Sequence, residues 1–323
     1  MENVIARKKS WNVKSFFMKR SVLLVVLGFI LYMGFTQEHF LTGANVSSIL
    51  SASGPAYLCT MAMALVMFTR CLDLSIGGNV YLCAAIGTYL NRLHWEIGPL
   101  ILAMLAVGLV CGLINGLISA SLKVYPMLNT VAMNYVFRGL AFIFTRGALA
   151  HMPKSWNAIS HVSVVGVPIT IFLPLVVGLI LHVMMRYTKL GRQIYAVGDS
   201  EKTARERGIR VFGVKVFVYG LNGLLCGVAA ILLSSQVMSV PSSMGLGLEN
   251  TAMMAAVLGG VSFAGGKGNL FPGVFLGALL YATVSNAMVL LQANAYLYNV
   301  IYGCVILVMI VLEVLRNTKN KVL

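Results

Sequence analysis

The sequence predicts an all-α membrane protein, a polytopic bundle of about ten transmembrane helices, some of them interrupted. Three observations predict it. Of 323 residues, 59% are hydrophobic and only 10% charged, with a mean hydropathy of +0.88, whereas a soluble domain carries about 25% charged residues. The apolar residues gather in segments of span length joined by short polar links. The basic residues crowd into particular links instead of spreading along the chain. Together these exclude a water-soluble enzyme, a disordered chain and a secreted disulfide scaffold.

In chain order, residues 1–20 form a basic tail with Arg7, Lys8, Lys9, Lys14, Lys19 and Arg20. The segment 21–36 follows, and no small-x-small cleavage site closes it, so it reads as a span and not as a signal peptide. Apolar segments continue at 49–69, 75–91, 99–121, 127–145, 171–186, 216–235, 250–263, 271–290 and 297–315. The transmembrane domain therefore covers 21–315, and a short tail, 316–323, closes the chain. With the first tail in the cytoplasm, alternation puts twenty Lys and Arg on that side and three (Arg92, Arg146, Lys154) on the other, with Arg138 inside a span. That asymmetry is the positive-inside pattern. It predicts a multi-pass protein of the cytoplasmic (inner) membrane, with both termini and the central loop 187–215 in the cytoplasm. The net charge of +15 then reflects topology and contact with membrane lipid, and implies no nucleic-acid partner.

Two segments are broken by polar, glycine-rich sequence. Leu72-Asp73-Leu74-Ser75-Ile76-Gly77-Gly78 opens one, and the short segment 250–263 runs into Gly259-Gly260, Ser262 and Gly265-Gly266-Lys267-Gly268. Irregular backbone at membrane depth survives only where protein buries it or where it lines an aqueous cavity. Interrupted helices in corresponding halves point to transport sites; the alternative is a pair of ordinary cytoplasmic turns. Gly108, Gly112 and Gly116 recur every four residues, as do Gly223 and Gly227, and Gly273 and Gly277. Small residues at that spacing let helix backbones approach closely in lipid. Residues 147–170 form the longest connection on the outer side and are expected at an outer rim.

Candidate chemistry is sparse. Asp73, one of nine acids, reads as the cap of a helix beginning near Ser75 and as a partner of Arg70, in preference to a proton relay. Glu249 reads as a cap near the outer face. The five histidines (39, 94, 151, 161, 182) form no HExxH pair, and the six cysteines sit in apolar sequence without CxxC spacing, as small core residues do. No Gly-x-Ser-x-Gly elbow occurs. Gly266-Lys267-Gly268 departs from a phosphate loop at Val261 and Gly268. No catalytic residue, metal or cofactor is assigned, and the chain is not expected to hydrolyse ATP itself. Asn115, Asn134, Asn222, Ser285 and Asn286 lie inside predicted spans, with Arg138. They either hydrogen-bond a hydroxyl-rich solute or join neighbouring helices, and Arg138 can also snorkel to headgroups. Asn134, Arg138, Asn222 and Asn286 are carried forward as path candidates.

The central loop is the most informative stretch. Asp199 or Ser200 can cap a short helix that Gly208 ends, and Glu201–Arg205 and Lys202–Glu206 are i,i+4 pairs. Ala204 lies four residues before Gly208, which predicts a small, flat face open to a cytoplasmic partner.

These stretches resemble a known family. Leu72 to Gly78 is similar to the Leu-Asp-Leu-Ser-Val-Gly signature of simple-sugar ABC importer permeases, of the ribose, xylose, galactose and autoinducer-2 type. Gly191-Arg192, Ala196-Val197-Gly198, Ala204 and Gly208-Ile209 resemble the family's central loop. Ala255 to Gly268 resembles its second glycine-rich segment, and Arg138-Gly139 an Arg-Gly of its fifth span. The resemblance runs in order over about 45–315, with departures at Asp199 and Asn250. It implies an ABC importer permease that carries a small hydroxylated solute, a monosaccharide above all. It further implies cytoplasmic ATPase subunits docking at Asp199, Glu201, Ala204, Arg205, Gly208 and Ile209. A second permease copy or sister permease and an extracytoplasmic solute-binding protein complete the expected assembly. The rival reading, an ion-coupled secondary transporter, is disfavoured by the shortage of intramembrane acids.

Overall fold

A computed structural model describes residues 21–292, apart from 123, 165 and 166, together with 300, 303, 304 and 307. The tail 1–20, Lys123, most of the predicted segment 297–315 and the tail 316–323 lie outside the described residues.

The chain runs through α1 (Ser21–Thr36), α2 (Gly43–Phe68), α3 (Ile76–Arg92), α4 (Ile97–Ser121) and α5 (Pro126–Thr145). Local chemistry sets several of these ends. Thr42 caps α2 by accepting from Asn45 N, Pro126 opens α5 where its missing N–H costs nothing, and Arg146 ends α5 in the left-handed region at φ 56°. A connection follows with β1 (Ala150–His151), α6 (Asn157–His161), β2 (Ser163–Val164) and β3 (Val167–Pro168). Then come α7 (Ile169–Tyr187), α8 (Lys189–Asp199), α9 (Glu201–Glu206) and α10 (Val211–Val237). After β4 (Ser239–Val240) the chain forms α11 (Leu248–Leu258), and a kinked turn at Leu270–Val274 leads into α12 (Phe275–Leu290). The strands make two antiparallel two-residue ribbons, β1 with β4 and β2 with β3.

Among the described residues six helices are long and apolar enough to cross a membrane: α2, α4, α5, α7, α10 and the kinked Leu270–Leu290. The predicted spans at 21–36, 75–91 and 250–263 correspond to α1, α3 and α11, of 16, 17 and 11 residues. α2 and α10 form the centre. α2 packs on α7, α10, α11 and α12, and its last eleven residues, Leu58 to Phe68, are all buried. α4, although the most apolar span, has only 28% of its apolar stretch buried, against 78% for α2. Lipid is as apolar as a core, so an apolar span such as α4 can face outward, while the central α2 and α10 are held by small residues and hydrogen bonds.

The glycines predicted to pack do so. Methyl groups built on Gly108 and Gly112 would stand 2.4 Å from Gly223 O and 2.2 Å from Tyr219 O, so α4 and α10 meet backbone to backbone. Gly273 and Gly277 similarly admit Gly259 and Ala255 of the neighbouring α11 segment. Five of the cysteines are buried and unpaired; Cys304 is exposed.

Candidate functional site: an interior break and a basic junction

Charges from Arg186 to Lys215 gather on α8, α9 and the start of α10, which defines a basic end of the bundle. At that end α2 stops at Phe68, and the chain turns through residues 69–75 before α3 begins. The turn is buried and satisfied by its neighbours. Asp73, 1% exposed, accepts from Ser75 N at 2.8 Å and from Ser75 Oγ at 2.6 Å, and Asn115 Nδ2 of α4 donates to the same Ser75 Oγ at 2.7 Å. Thr130 Oγ1 of α5 accepts from Leu74 N, and Tyr219 of α10 donates its hydroxyl to Leu72 O at 3.2 Å. Asp73 therefore holds Ser75, the residue before α3, in an Asx-type turn; it makes no hydrogen bond to the helix N-terminus itself, and it does not pair with Arg70. Neither ion pair among the described residues includes Asp73, and Arg70 is exposed. The serine and the backbone supply Asp73 with hydrogen bonds that a solvated arginine would not hold as well.

The first turn of α3 meets a second break that the sequence reading placed elsewhere. Beyond β4, residues 241–247 run back into the bundle as irregular backbone, with Gly245 and Gly247 at φ +73° and +76°. Methyl groups built on Gly77 and Gly245 would stand 2.1 and 2.3 Å from each other's carbonyl oxygens, so only glycine fits this crossing. Glu249, in the first turn of α11, brings its carboxylate to Gly77. Along α3, Gly77 stands roughly 22 Å from Arg92 at 1.5 Å per residue. Glu249 thus lies inside the bundle beside the first turn of α3, at the end away from Arg92, because the chain runs back in before α11 starts.

Two path candidates belong to this crossing. Asn134 Oδ1 accepts from Gly78 N at 2.8 Å. Arg138, one turn further along α5, donates to Met244 O at 3.3 Å and lies 5.7 Å from the centre of the Tyr81 ring. It feels the charge of Glu249, whose Oε2 is buried without a hydrogen-bond partner. Arg138 points inward and does not snorkel. The other two candidates join helices: Asn222 Nδ2 donates to Ala62 O at 3.0 Å, and Asn286 and Asn45 exchange hydrogen bonds of 2.8 and 3.0 Å. The sequence reading missed Glu249 as a partner of Arg138. The run Pro241-Ser242-Ser243-Met244-Gly245-Leu246-Gly247 was the signal that could have found the break.

Gly259, Gly260, Ser262, Gly265 and Gly266 lie elsewhere, at the basic end. Gly266 N donates to Phe68 O at 3.1 Å, and Tyr195 of α8 donates its hydroxyl to Gly268 O at 3.1 Å. Burial raises the Tyr195 hydroxyl above its ordinary value, so it remains a donor. A methyl on Gly198 would stand 1.8 Å from Phe68 O. The central-loop glycine Gly198 and the 259–268 stretch therefore meet at one junction, around the end of α2, whereas Gly77 and Gly78 belong to the crossing.

Beside that junction sits α9. Ser200 caps it by accepting from Thr203 N at 3.2 Å, and Gly208 leaves it at φ +76°. Glu201 pairs with Arg205 at 3.7 Å and also with Lys215 of α10. The predicted Lys202–Glu206 pair is not among the ion pairs of the described residues. Ala204 is 2% exposed and packs into the chain's own core, which corrects the expectation that it lines an open face. The open face carries Lys202, Arg205, Glu206 and Arg207, and Asp199 is exposed just before it. Residues 189–199, expected as loop, form α8, capped by Thr188.

At the opposite end a cavity of about 350 Å³ opens among Ser47, Ser51, Asn157, Ser160, His161 and Gln236. It lies within the predicted rim of 147–170 and its flanks.

Residues 45–310 match the family described as branched-chain amino acid transport system, permease component. The chain belongs to this permease family. It is 30% identical over 294 residues to the autoinducer 2 import system permease protein LsrC of Escherichia coli (strain K12 / DH10B), covering 91% of this chain and 85% of that one. The LsrC protein of Salmonella typhi is likewise 30% identical over 295 residues, 91% of this chain and 84% of the relative. No solved structure matches. The permease is a multi-pass membrane protein and a transport subunit of a sugar-type ABC import system, not an enzyme; such a permease implies separate ATPase and solute-binding partners.

Proposed function

We propose that the permease forms the path of an ATP-driven importer for a small hydroxylated solute, a monosaccharide or a sugar-like molecule such as the autoinducer 2 named for its relatives. The observation that carries this reading is the basic junction: the end of α2, α8 and the 259–268 turn are joined beside a capped, charged two-turn helix. In this reading α9 and its flanks, Asp199 to Ile209, receive the ATPase. Ala204 and Ile209 seat the helix from below, and the exposed charges orient the contact. The crossing of Gly77, Gly78 and Gly245 with Asn134, Arg138 and Glu249 lies on the solute path. One charge of each sign, Arg138 and Glu249, with the amide of Asn134 suits a neutral, hydroxyl-rich solute better than an ion.

The same reading takes ten spans, with 241–258 making one crossing of the membrane from two parts. It sets the basic end and both termini in the cytoplasm and pairs the chain with a second copy or sister permease. The uncharged cavity at the other end then faces the solute-binding protein.

The test is uptake of radiolabelled ribose, xylose, galactose and autoinducer 2 by cells carrying the complete system. Uptake of one of them that survives a proton ionophore and stops on ATP depletion is expected. Uptake abolished by the ionophore at normal ATP would make the chain an ion-coupled carrier.

A further inference from the structure

Both ion pairs among the described residues share Glu201. One is an ordinary surface pair: Arg205 is its i+4 neighbour, with a side chain 69% exposed, and such pairs contribute little. The other is of a different kind. Lys215 stands in the second turn of α10, is 8% exposed, and binds Glu201 Oε1 through Nζ. A buried ammonium is tolerated only with a partner, and here the partner sits on α9, a separate helix.

Lys215 is also the first of three polar side chains on one stripe of α10, at i, i+4 and i+7. Tyr219 bonds Leu72 O in the turn before α3, and Asn222 bonds Ala62 O of α2. In order of depth the stripe joins α9, the interrupted segment and the central helix. The same helix is locked against α4 by glycines, so it moves as a rod or not at all.

We propose that the Glu201–Lys215 pair is the strut through which α9, when the ATPase moves it, drives α10 and hence the turn at Leu72–Ser75. Glu201 and Lys215 are then positioning residues for transport. This rests on the reading of α9 as the ATPase-docking helix.

The strut differs from a merely stabilising pair in what its removal does. Removing one partner of a buried pair is costly where the charge left behind stays buried, but the Glu201 side chain is 40% exposed and can turn to water. Lys215→Met is therefore expected to reach the membrane at normal levels and to co-purify with the ATPase, while uptake of the sugar imported by the wild type falls about tenfold or more. A second readout needs no solute. With the other five cysteines replaced by alanine, Cys71, beside Leu72, is alkylated with N-ethylmaleimide in the purified permease–ATPase complex. ATP plus vanadate is expected to change the rate in the wild type and to leave it unchanged in Lys215→Met. The double reversal Glu201→Lys with Lys215→Glu is expected to restore both readouts to within about threefold of wild type. Should Lys215→Met fail to reach the membrane, Glu201→Gln, at the more exposed end of the pair, is expected to show the same two losses. Wild-type uptake and alkylation in the single variants, or a double reversal as inactive as either single one, would overturn the strut. A wild-type permease that does not co-purify with its ATPase through α9 overturns the docking reading itself, and the strut with it.

Discussion

Two seams hold the bundle together, and they are built on opposite principles. Between α4 and α10, Gly108 and Gly112 meet Tyr219, Gly223 and Gly227 backbone to backbone, with no charged side chain at the contact and only a 3.5 Å bond from Asn79 Nδ2 to Gly108 O. Between the start of α3 and the re-entrant 241–249 segment, backbones also touch, at Gly77 and Gly245, but polar groups surround the contact: Asn134, Arg138 and Glu249. The first seam is a dispersion contact with one arrangement, which any added carbon would spoil. The second leaves Glu249 Oε2 without a hydrogen-bond partner and joins Arg138 to Met244 O by a bond of 3.3 Å, so it is the less satisfied of the two. A transporter needs both, a fixed seam to carry force and a loose one to open.

The largest effect is expected at the fixed seam. Gly223→Val puts a branched carbon against Gly108 O and should cost more than about 3 kcal/mol, the upper range for overpacking. The check is its membrane level and thermal unfolding in detergent, where a stable Gly223→Val would dissolve the contrast. Next comes the loose seam. Arg138→Met should leave folding intact and cut uptake by about tenfold, the loss of a charge-assisted bond to a buried carbonyl. Lysine should recover part of it, whereas a Met variant transporting normally would remove Arg138 from the path. At the turn feeding that seam, Asp73→Asn keeps an acceptor for Ser75 N and should hold uptake within about tenfold of wild type, because Asn forms the same two-residue side-chain turn as Asp. Asp73→Leu, which has no acceptor, should be inactive. An Asn variant as inactive as Leu, at equal membrane levels, would mean the charge itself acts. The smallest effect is expected outside both seams: Asn286→Leu loses only the Asn45 pair and should lower stability by about 0.6 kcal/mol, read as a small fall in melting temperature.

Much of the bundle was legible in sequence because a span is a composition signal. The segment 21–36 ends at Thr36 as α1 does, and 127–145 begins one residue inside α5. Where boundaries moved, a specific contact moved them. α10 starts at Val211, five residues before the predicted 216, since the buried Lys215 finds Glu201. α11 stops at Leu258 because Gly259 packs against Gly273 and Gly260 takes φ +86°. The site was less legible. Arg138 and Asn134 stood out as polar residues in apolar sequence, but so did Asn222 and Asn286, which only join helices. With lipid and core equally apolar, periodicity does not say which face of a span is inside. Glu249 looked like a simple cap because its partners, Gly77 and Arg138, are distant in sequence. Ala204 looked open because its neighbours are charged, although its own side chain points into the core.

The junction around Phe68 also bears on how the chain is made. α2 leaves the ribosome early, yet Gly198 and Gly266, which close over its last turn, follow only after another 130 to 200 residues. α2 carries Pro55 and several serines and threonines, and is less apolar than α4. It enters the bilayer as a middling span, with its turn uncovered, and waits for α10, α11 and α12 to surround it. The centre of the finished protein is thus the part of the nascent chain that is completed last. Chains truncated before residue 268 should therefore be cleared by membrane quality control, even though they already hold most of the apolar helices.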